Sequence, residues 1–275
     1  MNAILRKSLD LQIPPAAVAA YQRSGFVRGP KILKIDEVEH LKNEVERVIR
    51  EYDQDKENQP VACRSLTDME NPVWQIINIW QASEAFKELM LSPTLVEWAA
   101  SLTQAKELKL WHDQIQYKPS GVGGEISWYQ DSSFWPALEP LDSMITAWIA
   151  LDDAEPENGC MSMVPGSHKW GCAREDLEKI VDFTSLPETY LDHDVYPILC
   201  PVPAGYVHFH HPLTWHGSPV NKSNKPRRAI AIHFATENAC LSREGQHVMR
   251  RFATCSPGEQ LTGAPFISVY KCRSI

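Results

Sequence analysis

Asp131 and His216 are the two residues of the chain whose types and surroundings best suit a metal ion. Asp131 ends the stretch Trp128-Tyr-Gln-Asp131, which places an acidic side chain at the end of a predicted strand, and His216 begins His216-Gly-Ser218 far downstream. Two histidines and one carboxylate on one face of the ion form the ligand set of non-haem iron(II) oxygenases. Alone, Asp131 is a weak signal, because an Asp before Ser-Ser is more often a turn residue than a ligand. The sequence therefore offers part of such a ligand set.

More histidines lie just before His216. His208, His210, His211 and His216 fall within nine positions, with His208 and His210 on one side of their predicted strand and His211 on the other. At most one or two of them can reach a single ion. We expect the others to be satisfied by hydrogen bonds near the site or at the surface.

Arg227 and Arg228 begin an apolar strand, Ala229-Ile-Ala-Ile232. A planar guanidinium at a strand start can hold a carboxylate through two parallel hydrogen bonds. Two surface arginines that flank Pro226 explain the same pattern equally well. The sequence leaves both interpretations open.

Length and composition describe a globular protein with a sizeable core. The chain has 275 residues, of which 43% are hydrophobic and 23% charged, and its formal net charge is −8. The negative charge argues against a nucleic-acid partner, because phosphate neutralisation needs a basic surface. No apolar run reaches the length of a membrane span, residues 1–11 lack the apolar core of a secretory signal, and the seven cysteines form no Cys-x-x-Cys pair. We expect a cytoplasmic protein.

Helical patterns fill the first third of the chain. The first predicted helix runs from Pro14 to a glycine stop at Gly25. Apolar residues then recur at steps of three and four through a second helix that Asp36 could cap, and a third helical stretch covers 83–102 with a break at Pro93.

From Leu108 the apolar period changes to two, which indicates strands. Strict alternation over 108–118 predicts Trp111 and Ile115 on one face and His112 and Gln114 on the other. Further strands are predicted over 126–130, 144–151, 160–164, 198–202, 207–210 and 229–235.

Short strands separated by glycine and proline turns, after a helical beginning, predict a mainly β fold with flanking helices around a jelly-roll core. No linker or repeat divides the chain, so we expect one domain over 1–275. Within it, 1–105 is the mostly helical part, 106–240 the jelly-roll core and 241–275 a C-terminal extension. Residues 172–197, acidic and irregular, are expected to be an insertion that closes over the site.

Short motifs follow one another in a distinctive order from Lys118 to Ala229. They are Trp128-Tyr-Gln-Asp131, Thr146-Ala-Trp-Ile-Ala-Leu-Asp-Asp153, Glu157-Asn-Gly-Cys160, Val164-Pro-Gly-Ser-His168, Phe209-His-His211, His216-Gly-Ser218, Asn221-Lys-Ser223 and Arg227-Arg-Ala229. In this order they resemble the phytanoyl-CoA dioxygenase family of iron(II)/2-oxoglutarate-dependent oxygenases. The resemblance covers most of the chain and implies a cupin-like double-stranded β-helix. It is specific for the family and says little about the substrate.

The resemblance also implies ligands for the metal. The family's first metal motif, His-x-Asp, falls on Tyr129 and Asp131, and its distal metal histidine falls on His216 rather than His210. The implied metal site is therefore Asp131, His216 and, in place of the usual histidine, Tyr129.

The implied cofactors are iron(II), 2-oxoglutarate as cosubstrate and dioxygen. Arg227 would hold the far carboxylate of 2-oxoglutarate with Ser218 beside it, while Trp148, Gln114 and, as a looser match, Gln75 would line the cosubstrate pocket. In this chemistry 2-oxoglutarate gives succinate and carbon dioxide while a C–H bond of the substrate is hydroxylated. The protein contributes positioning, electrostatics and exclusion of water.

Tyr129 departs from the family pattern. Imidazole binds metal as a neutral base, whereas a phenol must first lose a proton whose reference pKa is about 10. A phenolate beside Asp131 would also favour iron(III) over iron(II). Three interpretations stay open: a weakly working site with Tyr129 or water as ligand, a repurposed protein that binds without turnover, or a tyrosine substituted into an otherwise active enzyme.

The rest of the implied apparatus is present, which favours an enzyme. We expect a hydroxylase of a small metabolite or natural product whose iron binding is impaired or altered by Tyr129, with Phe134 and Trp135 in the wall of the substrate pocket. The first alternative is a catalytically silent binding protein or non-catalytic partner subunit. The second is a cupin-like isomerase or hydrolase that holds another divalent metal.

Overall fold

The computed structural model describes residues 13–54 and 57–272. Residues 1–11, considered above for a secretory signal, lie outside these ranges. None of the helices in the described part of the chain has the length and apolar character needed to cross a membrane.

Helices dominate the first third of the described chain and strands the remainder. The α-helices are Pro15–Ser24 (α1), Ile35–Glu51 (α2), Glu84–Met90 (α3), Pro93–Thr103 (α4) and Arg174–Leu177 (α5). The strands are Phe26–Lys31 (β1), Ala62–Ser65 (β2), Trp74–Ile77 (β3), Glu107–Lys118 (β4), Ile126–Tyr129 (β5), Leu138–Glu139 (β6), Met144–Ala150 (β7), Met161–Met163 (β8), Thr189–Tyr190 (β9), His193–Asp194 (β10), Ile198–Cys200 (β11), Tyr206–His210 (β12), His216–Ser218 (β13), Arg227–Thr236 (β14), Cys240–Leu241 (β15) and Ser268–Lys271 (β16). Short 3₁₀ turns lie at Ile79–Gln81, Asp131–Phe134, Pro156–Asn158, Ser167–Lys169 and Arg250–Phe252.

Two antiparallel sheets form the core. The larger has eight strands in the order β1-β12-β7-β14-β4-β3-β2, with β16 also paired to β4, and the smaller has the order β11-β8-β13-β5. Their inner faces meet in an apolar layer to which the larger sheet contributes Trp148 and Ala231 and the smaller Met161 and Met163. Two sheets packed face to face make a jelly roll. The predicted fold class is confirmed.

The helices cover the outer face of the larger sheet. Apolar side chains of α2, α3 and α4 such as Leu41, Phe86 and Leu95 share one buried cluster with Ile149 and Ile232 of the sheet. Because the helices occupy this outer face, the polar side chains on the inner face are the ones available for chemistry.

One local expectation about the helical part was wrong, and three strands in it were not predicted. Lys34, not Asp36, is the N-cap of α2, and Asp36 lies in the first turn, where a carboxylate favours the positive end of the helix dipole. Strands β1, β2 and β3 lie in the part expected to be mostly helical and extend the larger sheet. Strands β2 and β3 have four residues each, too few to show a period, and β1 contains Gly29 and Pro30, which are rare in strands.

A β-bulge breaks the alternation predicted for β4. The register with β14 shifts between the pair His233–His112 and the pair Phe234–Leu110, so that Trp111 is an extra residue. Trp111 packs in a cluster with Trp135, whereas Ile115 faces the helices, so their predicted common face was wrong. Bulges re-aim side chains and are common next to active sites.

Residues 172–197 cover the outer face of the smaller sheet, which corrects the expectation that they close over the site. Trp128 Nε1 donates to the carbonyl oxygen of Phe183 in this segment at 2.7 Å. Successive residues of a strand point to opposite faces. Tyr129, next to Trp128, and its cross-strand partner His216 therefore face inward, away from the segment.

Candidate active site

One row of polar side chains crosses the inner face of the larger sheet. In the strand register, Thr146 of β7 lies opposite His210 of β12 and opposite His233 of β14, and His233 lies opposite His112 of β4. Residues directly opposite on one face are close enough to interact. We call these four residues the imidazole row; three of its members are buried histidines, and Thr146 is buried too.

The end of the imidazole row at His210 meets the smaller sheet in a compact cluster. Asp131, His210 and His216 each offer one ligand atom, and these atoms all lie within 4.8 Å of one another. His210 Nε2 is 3.0 Å from Asp131 Oδ2, and His216 Nε2 is 3.5 Å from Asp131 Oδ1. Within the described residues, no other group of three or more His, Cys, Asp or Glu side chains converges in this way.

Hydrogen bonds fix the orientation of two of these side chains. His216 Nδ1 lies 2.8 Å from the carbonyl oxygen of Thr214, so that Nδ1 carries the proton and Nε2 keeps its lone pair. Thr146 Oγ1 donates to Asp131 Oδ2 at 2.6 Å. Such partners around a metal ligand set its tautomer and direction.

The electrostatics of the cluster suit a cation. Burial by itself raises the pKa of Asp131, but the nearby imidazoles of His216 and His210 more than offset it and hold the pKa well below its ordinary value. Burial lowers the pKa of His210. A carboxylate and two imidazoles, which ligate in their neutral form, are the donor set of the non-haem iron(II) site, so the residues fit that metal.

Tyr129 lies beside the cluster. Its ring centroid is 4.1 Å from that of His216 and 5.3 Å from that of Phe134. Burial, and next the charge of Asp131, raise the pKa of Tyr129 well above its ordinary value, although a hydrogen bond with Gln116 acts in the opposite direction. The phenol therefore keeps its proton and acts as a hydrogen-bonding group in this arrangement.

The structure thus brings Asp131 and His216 together and adds His210, which the sequence assignment had set aside. The available signal was the position of His210 two residues after His208, on the inward side of β12. His216 was preferred on motif order alone, and Thr146 had no predicted role. Contact between β12 and the end of β5 depends on how the two sheets pack, which local sequence does not reveal.

Arg227 lies at the opposite end of the inner face. It is 1% exposed, its Nη1 donates to the Gln116 carbonyl at a long 3.4 Å, its Nε has no partner, and its guanidinium lies 5.6 Å from the Trp148 ring centre. Burial lowers the pKa of Arg227 to about 10. By contrast, Arg228 faces outward and is bound to Asp152. Neither residue is a surface arginine: the Arg227 guanidinium is buried, and Arg228 forms a partly buried ion pair.

Lys118 shares this end of the face with Arg227, its partner in the strand register. Its Nζ donates to the carbonyl oxygens of Ser218 (3.1 Å) and Pro219 (2.5 Å), and its side chain is buried. Burial and then the charge of Arg227 hold the pKa of Lys118 well below its ordinary value. Two buried basic groups without a paired carboxylate among the described residues fit an anionic ligand, such as the far carboxylate of 2-oxoglutarate.

The other expected pocket residues lie between the two ends. Trp148 Nε1 donates to Gln116 Oε1 at 3.3 Å, and Gln75 Nε2 donates to Gln114 Oε1 at 2.7 Å. Ser218 is buried at the end of β13, and its carbonyl oxygen accepts a hydrogen bond from Lys118 Nζ. These contacts place the residues on the inner face, and their roles toward a cosubstrate stay predictions.

Phe134 and Trp135 occupy different environments. Phe134 is 60% exposed and stands edge-on to Tyr129, whereas Trp135 is 4% exposed and packs edge-on against His233 at 4.6 Å between ring centroids. Phe134 therefore lies at the solvent side of the cluster and Trp135 beside the imidazole row. Their predicted part in a substrate pocket is not tested by this geometry.

A family model described as "Phytanoyl-CoA dioxygenase (PhyH)" matches residues 21–229. The bovine (Bos taurus) "Phytanoyl-CoA dioxygenase, peroxisomal" is 25% identical over 236 residues, which are 79% of this chain and 67% of the bovine protein. The resemblance seen in the motifs is confirmed.

Solved structures of the same fold agree with this. The non-haem alpha-ketoglutarate-dependent carbocyclase SnoK from nogalamycin biosynthesis superimposes with a TM-score of 0.76 and 28% identity, covering 94% of this chain and 96% of its own. The epimerase SnoN in complex with Fe3+, alpha-ketoglutarate and nogalamycin RO has a TM-score of 0.69 and 20% identity, covering 92% and 97%, which shows the shared fold. Iron(II), 2-oxoglutarate and dioxygen are the cofactors of the matched family, as expected from the motifs.

Proposed function

The chain belongs to the phytanoyl-CoA dioxygenase family of iron(II)/2-oxoglutarate-dependent oxygenases, and from that premise we propose that it hydroxylates a C–H bond of a small metabolite or natural product, with an altered set of iron ligands. The observation that carries the proposal is the buried cluster of Asp131, His210 and His216. The likeness to a carbocyclase of nogalamycin biosynthesis supports a natural-product substrate.

In this proposal Asp131, His210 and His216 hold the iron, and His210 takes the place of the histidine that Tyr129 replaces. His216 already presents the lone pair of Nε2. His210 Nε2 now donates its proton to Asp131 Oδ2, and ligation through Nε2 would move that proton to Nδ1, because a neutral imidazole keeps one N–H when its other nitrogen binds metal. Iron binding is then altered by Tyr129 without being lost, and Tyr129 as a direct ligand stays a prediction.

Arg227 and Lys118 would bind and orient the cosubstrate. A fully buried guanidinium without a carboxylate partner gains a charge-assisted hydrogen bond when an anion arrives. Trp148 and Gln116, which contact each other beside Arg227, would exclude water from the pocket. The bound metal, cosubstrate and dioxygen supply the oxidising chemistry, and the chain supplies position and a dry environment.

The test is cosubstrate turnover. The full chain is loaded with iron(II) and 2-oxoglutarate without oxygen, oxygen is added, and succinate is measured for the wild type, Tyr129→His and His210→Phe, with a chelator as the blank. We expect succinate from the wild type and from Tyr129→His, and a loss of at least about tenfold in His210→Phe. If neither the wild type nor Tyr129→His binds iron(II) or consumes 2-oxoglutarate, the site is wrongly placed.

A catalytically silent binding protein is the second candidate, and the phenol at position 129 is the observation that favours it. It predicts no iron in elemental analysis after loading, together with a rise in melting temperature when 2-oxoglutarate is added, since Arg227 would still bind the anion. Iron retention with succinate release would discard this candidate.

A further inference from the structure

The far end of the imidazole row is a second polar cluster, next to the metal ligands but separate from them. The ring centroids of His112 and His233 are 4.5 Å apart, and Trp135 stands edge-on to both, at 6.0 and 4.6 Å. His247 stacks on His112 at 5.2 Å between ring centroids and lies tilted against Trp111 at 5.0 Å. His247 is partly exposed, so it connects the buried rings to the surface.

The hydrogen bonds of this cluster determine both tautomers. The hydroxyl hydrogen of Thr146 is given to Asp131, so His233 Nδ1, 2.8 Å from Thr146 Oγ1, must be the donor of the second bond. His112 Nδ1 faces the backbone carbonyl oxygen of Asp113 at 3.2 Å, so it also carries the proton. Each ring therefore has an unprotonated Nε2, an acceptor with one lone pair.

Neither acceptor has a partner. His112 and His233 are 2% and 0% exposed, and the Nε2 atoms of both are buried without a hydrogen bond. The indole Nε1 of Trp111, which belongs to the neighbouring apolar cluster, is also buried and without a partner. Buried polar atoms are normally satisfied, so these three atoms need a partner from outside the chain, either a bound group or water.

The chemistry of these atoms restricts the ligand. Their nitrogens do not converge as a metal site does, since among the described residues only Asp131, His210 and His216 form such a group. An anion would face two acceptor lone pairs, and burial lowers the pKa of His233 to about 3, so the ring stays uncharged at neutral pH. The partner must instead donate hydrogen. A hydroxyl does so, and its oxygen can also accept from an indole N–H.

We propose that His112 and His233 are a substrate-binding subsite that accepts hydrogen bonds from hydroxyl groups on a flat ring, which lies against Trp135. This names the substrate class of the proposed oxygenase and rests on that function. The hydrogen bonds from His233 to Thr146 and from Thr146 to Asp131 show that this subsite lies next to the proposed metal ligands. The aromatic walls favour a planar ring, and the lone pairs require O–H groups on it.

The experiment uses three matched probes on the full chain as purified: resorcinol with two O–H donors, phenol with one, and 1,3-dimethoxybenzene with none. Affinities are measured by calorimetry, and the imidazole ¹⁵N resonances are followed by NMR in the same titration. We expect resorcinol to bind at least roughly tenfold more tightly than 1,3-dimethoxybenzene, with phenol between them. The Nε2 resonances of both histidines should move with resorcinol and stay in place with the dimethoxy compound.

The variant His112→Phe keeps the ring and removes the acceptor, so it should reduce the preference for resorcinol to about that for phenol. His168→Phe, which removes a partly buried imidazole that contacts Gln22, is the control and should keep the preference. Equal affinities for the three probes, no measurable binding of any, or unchanged Nε2 resonances in the wild type would each overturn the subsite, even if a variant fails to fold. Iron and 2-oxoglutarate binding are measured separately, so a failure of the oxygenase function is recognised independently.

Discussion

One end of the inner face of the larger sheet carries uncharged imidazoles, and the other end carries two buried basic side chains. His210, His233 and His112 line the end beside Asp131, where His233 and His112 each present an Nε2 lone pair. Arg227 and Lys118 lie opposite each other in the register at the far end of β14 and β4. Trp148, Ala231 and other residues of the middle rows separate the two. The two ends suit opposite ligands: one offers a carboxylate and electron pairs to a cation, and the other offers positive charge to an anion.

The residues at each end therefore indicate which kind of ligand binds there. A buried carboxylate among neutral imidazoles is stabilised by a divalent cation, and a buried guanidinium is stabilised by a carboxylate. In the proposed function, one molecule of a keto acid would bind the metal and also pair with Arg227, and so would connect the two ends of the inner face.

The largest effect is expected on iron(II) binding at the end with the imidazoles, where the proposed function places the metal. Asp131→Asn removes the negative charge and replaces one oxygen by an NH₂ group, so the iron(II) affinity should fall by more than the roughly 100-fold typical of losing a supporting residue. His210→Phe should do the same if it is a ligand. Iron retained after desalting is measured for both variants, with the exposed Asp142→Asn as control. Unchanged iron content in Asp131→Asn would remove the metal site.

At the end with Arg227 and Lys118, which we call the anion end, Arg227→Leu should weaken 2-oxoglutarate binding by about 100-fold. A buried charge that pairs with a carboxylate contributes several kcal/mol to binding. Iron binding should be nearly unchanged. The adjacent Arg228→Leu is the matched control, since that guanidinium faces outward and pairs with Asp152. Cosubstrate affinity is measured by calorimetry in the iron-loaded protein without oxygen. Equal losses in the two variants would contradict the assignment of the anion end.

Thr146→Val tests the link between the metal cluster and the rest of the imidazole row. It is close to isosteric and removes the hydroxyl that donates to Asp131 and accepts from His233. We expect iron affinity to fall by about 10- to 100-fold, the usual cost of losing a partner that orients a ligand. Thr236→Val removes a hydroxyl bonded to the Ser143 carbonyl, away from the cluster, and should leave iron binding unchanged. A similar loss in both variants would point to general destabilisation.

The neutral imidazoles should also make stability depend on pH. Burial lowers the pKa of His233 to about 3, whereas its value in the unfolded chain is about 6.5. Below pH 6.5 the unfolded chain therefore takes up a proton that the folded chain does not, and the free energy of unfolding falls as the pH falls through this window. From pH 6.5 to about 5 the His233 contribution is up to about 2 kcal/mol. Urea unfolding of the metal-free protein at several pH values measures it, and His233→Phe should show a shallower pH dependence. Parallel curves would refute the contribution.

Part of the site could be predicted from the sequence, because strand alternation and motif order are visible in the sequence itself. Alternation of polar and apolar residues in β4 placed His112 and Gln114 on a strand, and Arg227 was predicted at the start of an apolar strand. Motif order connected Asp131 with His216. Such patterns depend on the period of a strand, which a sequence shows directly.

The parts that the sequence missed depend on how distant strands meet. His210 lies in the metal cluster because β12 pairs with β7 and faces the end of β5, a consequence of sheet packing. Trp111 changed face because of a bulge, which single-sequence alternation cannot reveal. The segment 172–197 covers the outer face because Trp128 and its neighbours offer an apolar surface there.

The smallest effect is expected for Tyr129→Phe. This variant tests whether His210 or Tyr129 is the third iron ligand. If His210 is the ligand, the protonated phenol contributes only its contacts with His216 and Gln116, and iron(II) affinity should change by no more than about threefold. If Tyr129 is the ligand, the same variant should lose iron as severely as Asp131→Asn, and the iron(III) protein should show a tyrosinate charge-transfer band that the variant lacks. Iron titration and the visible spectrum of the oxidised protein measure the two outcomes. A large loss in Tyr129→Phe together with normal binding by His210→Phe would reverse the ligand assignment while leaving the anion end as described.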